Sequence, residues 1–278
     1  ANVFRKAGYF STILSGTSDK LKILVLNTNL YLLKNTATSG DDPAGQFAFM
    51  REELGKAKTN NQVVYIFTHV PIGNKAIRSP YDVTFVDIIN EYGSIIKSMH
   101  AAHEHVDRFR LIYKDGVETA QAFQIVTPAI TPWVGGRPYP RNPSFASFDY
   151  DEGDYSLQDM VLYYLDLANN NANWIKLYSF RETYKKSISI SSLSEILQKL
   201  KDDKEFFEAY YRRMWVNIGS DFLKGCDENC RKTELCLIEN PKNDDLDKCL
   251  PKEPASATGL QPLIILIAIL ALFVQLLL

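Results

Sequence analysis

The sequence predicts a layered α/β arrangement followed by a small, disulfide-bearing, mainly helical subdomain. Three observations carry this. Apolar runs with strand character alternate with helix-periodic segments as far as residue 130. After about residue 150 the texture changes, and two more strand-like runs lead into a long helix-periodic stretch. All four cysteines then fall within 24 residues, at Cys226, Cys230, Cys236 and Cys249. Of 278 residues, 46% are hydrophobic and 12% aromatic, enough to bury a real core.

The elements follow in order. "LKILVLNTNLY" (21–31) is nearly continuous in apolar residues and reads as a buried strand. In "AGQFAFMREELGKAK" (44–58), Phe47, Met50 and Leu54 recur at helical spacing with charges between them. "QVVYIFTHVP" (62–71) is a second buried strand, stopped by Pro71 and Gly73. "DVTFVDIINEYGSIIKSM" (82–99) reads as a helix with Phe85, Ile88, Ile89, Ile95 and Ile96 on its apolar side. "VDRFRLIY" (106–113), the turn "KDG" (114–116) and "TAQAFQIVTPAI" (119–130) form a strand pair. Residues 158–167 and 174–180 are strands separated by the loop "ANNNAN". Residues 191–215 are helical, with Ser191 or Ser192 as a start cap and Asp202 or Asp203 starting a second helix.

A net charge of −2 and the lack of a basic run exclude a nucleic-acid polymer as partner. The cysteine gaps are three, five and twelve residues. A four-thiolate zinc site favours two short pairs separated by a longer loop, and only the first pair fits. Two disulfides are the expected reading, and they imply an oxidising compartment. "PLIILIAILALFVQLLL" runs from Pro262 to Leu278, and its 17 residues span roughly 25 Å as a helix, short of the ~30 Å of a bilayer core. Small residues from Ala255 to Gly259 precede it. That is the pattern of a GPI-attachment signal, with a short tail anchor as the alternative. Either places the protein at the extracellular face of the plasma membrane, secreted, or in the lysosome. No N-x-S/T sequon accompanies it.

The four histidines lie within 37 positions, at His69, His100, His103 and His105. His69 follows the strand 62–68, and His103 and His105 precede the strand 106–113. Ligands gather outside the carboxyl ends of strands in α/β folds. Alternation in an extended segment puts His103 and His105 on one side, with Glu104 pointing away. The three histidines are therefore candidate metal ligands. His100 reads as a bystander in the preceding helix end or loop. Histidines alone leave a hydratase-like and a phosphoesterase-like site both open.

"VVYIFTHVPIG" followed by "AHEHVDRF" resembles the last two motifs of the calcineurin-like metallophosphoesterases, G-H-x-P and G-H-x-H. "AGYFS" (7–11), "LNTN" (26–29), "GQFAFMREEL" (45–54), "HVDRF" (105–109), "PAITPW" (128–133), "NPSFASFDYD" (142–151) and "SFRETY" (179–184) resemble acid sphingomyelinase and the acid sphingomyelinase-like phosphodiesterases. The cysteine spacing is similar to that family's C-terminal subdomain as well. The resemblance implies the pairs Cys226–Cys230 and Cys236–Cys249. It also implies two zinc ions, with His69 and His103 on one and His105 on the other. Two departures stand out: Thr68 replaces the Gly of the first motif, and Glu104 replaces a small polar residue, expected to lie in the metal shell.

The resemblance implies that the family's D-x-H, bridging Asp and G-N-H, including the proton-donating His, lie before Ala1. The chain then reads as the C-terminal half of the enzyme, with three of about seven ligands, and is expected to be inactive alone. Residues 1–155 are the expected second half of a metallophosphoesterase sandwich, 156–250 the C-terminal region, and 251–278 a linker and apolar tail. The implied function is zinc-dependent hydrolysis of sphingomyelin or a related phosphodiester, including nucleotide-type ones. The alternative is a GPI-anchored surface protein that keeps the fold without catalysis. Asp107 is a candidate partner for the second nitrogen of an imidazole, a solvated strand-end carboxylate being its commoner fate.

Overall fold

The computed structural model describes residues 2–132, 141–169, 173–216 and 226–252. The chain runs through α1 (Asn2–Ala7), β1 (Phe10–Ile13), β2 (Leu21–Val25), α2 (Gln46–Thr59), β3 (Val63–Phe67), α3 (Tyr81–Tyr92), β4 (Ile96–Ala101), β5 (Arg108–Tyr113) and β6 (Ala120–Val126). It continues with β7 (Ser144–Tyr150), β8 (Leu157–Leu165), β9 (Trp174–Ser179), α4 (Phe180–Tyr184), α5 (Ile190–Asp202), α6 (Lys204–Met214), α7 (Glu228–Glu239) and α8 (Asn243–Cys249).

A six-stranded sheet has the order β1-β2-β3-β4-β6-β5, and β7-β8-β9 form a second sheet of three strands. The central strands β2, β3, β4 and β6 are mutually parallel. β1 and β5 pair antiparallel at the two edges. This is the layered α/β arrangement expected. On one face, Phe47, Met50 and Leu54 of α2 and Phe85, Ile88 and Ile89 of α3 pack on Leu24, Val64, Ile66 and Met99. On the other, Phe109, Leu111, Phe123 and Ile125 meet Leu157, Met160 and the helical residues Leu193, Ile196, Leu200 and Phe207. Alternate residues of β5 and β6 serve opposite layers, as a period of two requires. Residue 155, the expected domain boundary, lies in the connection between the paired strands β7 and β8.

The largest difference from the sequence reading concerns residues 82–99. The helix ends at Tyr92, a 3-10 turn covers Gly93–Ile95, and the remainder is the strand β4. Ile95 and Ile96 continue a helical period, but the segment is captured by pairing with β3 on one side and β6 on the other. Gly93 allows the change of direction against the sheet. A Cβ there would meet the Gln121 carbonyl oxygen at 2.9 Å. The run 21–31 also divides, into β2 and a 3-10 turn at Thr28–Tyr31 capped by the Asn27 side chain. The helical region 191–215 is two helices. Asp203 caps α6, as read, whereas α5 starts earlier than expected, with Ser189 and Ser192 closing a capping box.

Cys226 pairs with Cys230 and Cys236 with Cys249, as the resemblance implies. Each disulfide has one cysteine on α7. The segments Ala255–Gly259 and Pro262–Leu278 lie outside the described residues. Among the described residues no helix is long and apolar enough to cross a membrane.

Glu53 anchors α2 to the β1 edge of the sheet. Its carboxylate accepts from Ser11 Oγ at 2.6 Å, Lys22 Nζ at 2.8 Å and Lys56 Nζ at 2.8 Å. Burial pushes its pKa up, but the hydrogen bonds from Lys22, Lys56 and Ser11 outweigh that and bring it from 4.5 to about 2. The folded value lies below the unfolded one. The stabilisation is therefore complete above about pH 4.5 and is lost as pH falls through about 2. We predict that Glu53→Gln costs about 2 kcal/mol near neutrality, the scale of hydrogen bonds to a charged group. The gap between variant and wild type in urea denaturation should shrink as pH falls below about 4.5. An equal gap at about pH 6 and about pH 2.5 would show that Glu53 is not the titrating tie.

Candidate functional site

The site forms where β3 and β4 end on the same edge of the sheet. Their register closes with Phe67 opposite His100. Two further hydrogen bonds carry the ladder past the strands, Thr68 N–H to the His100 carbonyl and Ala102 N–H to the His69 carbonyl, both at 2.9 Å. His69 and His103 therefore emerge side by side. His69 Nε2 lies 3.3 Å from His103 Nδ1, and the rings meet edge to face with centroids 5.2 Å apart.

Residues 103–105 are not the extended segment expected. His103 has φ 66° and His105 φ 57°, both in the left-handed region. Each such non-glycine residue costs on the order of 1–3 kcal/mol unless its surroundings hold it. The correction is physical. A Glu104 N–H to Ala102 carbonyl bond of 2.7 Å folds the chain into a tight turn that period-two reasoning cannot describe. Glu104 does point away from the histidines, but into the protein and not into a metal shell. Its carboxylate takes an Asn74 amide proton at 3.0 Å and ion-pairs with Arg108 and Arg110. Burial raises its pKa, yet Arg110 and Arg108 prevail and hold it at about 2. The Thr68 hydroxyl turns back to the His100 carbonyl at 3.3 Å.

The electrostatics favour the neutral form of His69 and His105. Burial, then the neighbouring His103, lowers the pKa of His69. Burial, then Arg141, His103 and His69, lowers that of His105. A neutral ring presents a lone pair to a cation. Two nitrogens bound at 2.0–2.1 Å to one tetrahedral ion lie about 3.3–3.4 Å apart by simple geometry. His69 Nε2 and His103 Nδ1 have that spacing. His105 is close enough to feel the charge of the same pair. The donors present fit part of a metal centre. Among the described residues no group of three or more His, Cys, Asp or Glu converges on one point.

His100 is a correction of place. It sits in β4, not in a helix end or loop, and it is buried. Its Nε2 lies 2.5 Å from Ser98 Oγ, and its ring stacks on Phe67 and meets the edge of Phe148. Burial lowers its pKa to about 4, so it is a neutral packing residue between the two sheets. Asp107 is neither solvated nor a partner of an imidazole. It is buried and accepts from the Tyr178 hydroxyl at 2.5 Å. Burial raises its pKa to about 6 against the opposing Tyr178 hydrogen bond.

Sequence reasoning missed Arg141. Its Nη1 donates to the carbonyls of Glu104 and His105, both at 2.7 Å, and its guanidinium lies 4.4 Å from the Trp215 ring centroid. Nothing in the local sequence marks an arginine 36 residues downstream of His105 as its neighbour.

The acid sphingomyelin phosphodiesterase C-terminal region matches residues 120–256. The cyclic GMP-AMP phosphodiesterase SMPDL3A of Mus musculus is 33% identical over 266 residues, covering 90% of this chain and 58% of that protein. Acid sphingomyelinase-like phosphodiesterase 3b of Homo sapiens is 30% identical over 282 residues, covering 95% and 61%. Sphingomyelinase phosphodiesterase C of Dictyostelium discoideum is 28% identical over 272 residues, covering 89% and 58%. The chain spans about three-fifths of the length of these curated relatives. The match over residues 120–256 and the relatives at about 30% identity support the acid sphingomyelinase-like phosphodiesterase family for this chain.

Proposed function

We propose that the full-length protein hydrolyses phosphodiesters at a two-zinc centre to which this chain contributes His69, His103 and His105. The observation that carries the reading is the 3.3 Å approach of His69 Nε2 to His103 Nδ1 at the ends of two parallel strands. Zinc bound there would lower the pKa of a coordinated water and polarise the phosphate oxygens. His69 and His103 would serve as nitrogen donors to one ion, and His105 as a donor to the other. The remaining ligands and the proton donor to the leaving group belong to the preceding part of the protein. Among the described residues no group of three or more His, Cys, Asp or Glu converges at the site, which supports a centre completed by ligands from outside this chain.

The substrate class follows the relatives, whose names include a cyclic GMP-AMP phosphodiesterase and a sphingomyelinase. Sphingomyelin and nucleotide-type phosphodiesters share the charged P–O–C linkage that such a centre cleaves. The two disulfides support an oxidising compartment, outside the cell or in the lysosome. The small residues followed by an apolar run at 262–278 support attachment through a glycolipid.

In the full-length protein, His69→Ala, His103→Ala and His105→Ala should each remove most hydrolysis of bis(p-nitrophenyl) phosphate. Each should also lower the zinc retained after dialysis, measured by mass spectrometry. His100→Ala should retain zinc and instead lower stability by about 2–4 kcal/mol, as for other large-to-small core changes. Full zinc and full turnover in His105→Ala would refute the ligand assignment. A wild-type protein with neither zinc nor turnover would favour the non-catalytic surface protein.

The anchor is tested on intact eukaryotic cells expressing the full-length protein. Phosphatidylinositol-specific phospholipase should release it into the medium. Retention in the membrane, with the Leu276–Leu278 end still detectable, would assign the tail to an anchor helix.

A further inference from the structure

We propose that Glu104 is a positioning residue that holds His103 and His105 in their left-handed backbone conformation, and that it does so through a buried ion network reaching the disulfide-bearing helix α7. This rests on the reading of the histidines as metal ligands. The turn needs an external restraint, because His103 and His105 both occupy a region that L-residues avoid. Glu104, between them, is the residue whose side chain is most firmly held. Arg108 and Arg110 both ion-pair with its carboxylate, and Asn74 donates to it at 3.0 Å. Arg110 is fully buried and also donates to the Ile72 carbonyl at 2.7 Å, so its position is set by the loop that carries His69. Arg108 is bound in turn by Glu234 of α7, with Nη2 to Oε2 at 2.6 Å and Nε to the same oxygen at 3.1 Å.

The four side chains form a network of two carboxylates and two guanidiniums, net neutral and largely out of water. Planar, forked guanidiniums suit this bridging, as an ammonium would not. Arg141 grips the opposite side of the same turn through the Glu104 and His105 carbonyls. Gly73 makes room for the network. It has φ +79°, and a Cβ there would collide with the Arg110 guanidinium. The carboxylate is taken up by Arg108, Arg110 and Asn74 and bonds to neither imidazole. It acts on the backbone between the two ligands.

The test uses the full-length protein and three readouts. These are Zn²⁺ affinity by competition with a chromogenic chelator, kcat and KM on bis(p-nitrophenyl) phosphate, and amide hydrogen exchange over residues 102–106. Glu104→Gln keeps the shape and removes the charge. It should weaken Zn²⁺ binding by about 10-fold or more, the scale seen when supports of metal ligands are removed. It should lower kcat with little change in KM and speed exchange over 102–106. Glu234→Gln leaves Glu104 in place and loosens Arg108 from α7. It should give a smaller change in the same direction, and it decides the question if Glu104→Gln does not fold. Unchanged Zn²⁺ affinity, turnover and exchange in a folded Glu104→Gln, or in Glu234→Gln when the first variant is unfolded, would overturn the proposal. If the wild-type protein binds no Zn²⁺ and hydrolyses nothing, the functional reading falls. The exchange at 102–106 then still decides whether Glu104 holds the turn.

Discussion

Parallel pairing of β3 with β4 is the constraint on which the site depends. Parallel strands joined by a crossover helix leave the sheet at the same edge, so whatever follows each strand is placed beside the other. Here α3 makes the crossover, and the ladder runs two hydrogen bonds beyond the strands before the chains diverge. The 3.3 Å approach of His69 to His103 is a consequence of that register and not of any local preference of the histidines. A slip of one residue would turn Met99 out of the core on one face and move His103 away from His69. The buried side chains of β4, packed on both faces, forbid that slip.

The same pairing explains what could be read from the sequence. β2, β3, the β5–β6 pair, β8 and β9 announce themselves by apolar runs or alternation bounded by turn residues, and α2 by its spacing. The end of β3 at a Pro-Gly loop was enough to place His69 correctly. β4 was hidden because Ile95 and Ile96 continue the period of α3, and only tertiary pairing on both sides converts the segment to a strand. The edge strand β1 has four residues, and β7 alternates among Ser, Ala and Phe, so neither carries a strong local signal. His100 was misplaced for the same reason as β4. Its burial against Phe67 and Phe148 depends on partners 33 and 48 positions away.

The site was legible as residue types and illegible as geometry. Two histidines one residue apart look like a pair on one side of a strand, yet both adopt positive φ in a turn. Propensity alone does not predict this, because a positive φ is uncommon for any non-glycine residue, even though histidine is enriched there. The conformation is supplied from outside, by Glu104 in its arginine pocket and by Arg141 stacked on Trp215. Glu104 looked like an intruder in a motif that otherwise carries small residues. Arg108 and Arg110, four and six positions later on alternate residues of β5, are what accommodates it.

The region matched to the family begins at residue 120, after all four histidines, yet it is not an appendage to the site. Arg141, Trp215 and Glu234 all come from it. What fastens it to the sheet can be decided by magnitude. The Cys236–Cys249 bridge closes a short loop and stabilises it by about 3 kcal/mol in the chain-entropy model, and it acts only within α7 and α8. The hydrophobic contact is larger. Phe109 and Leu111 of β5, outside that region, bury themselves against Leu193, Ile196, Leu200, Phe207 and Met160. Each such side chain contributes roughly 1.5–3 kcal/mol, which even as an upper estimate outweighs the staple several-fold. The disulfides therefore stiffen the helix that carries Glu234, while the apolar face of β5 decides where that helix sits. Arg108 leaves the same strand, so the packing that docks the C-terminal region is also what brings Glu234 within reach of the turn between His103 and His105.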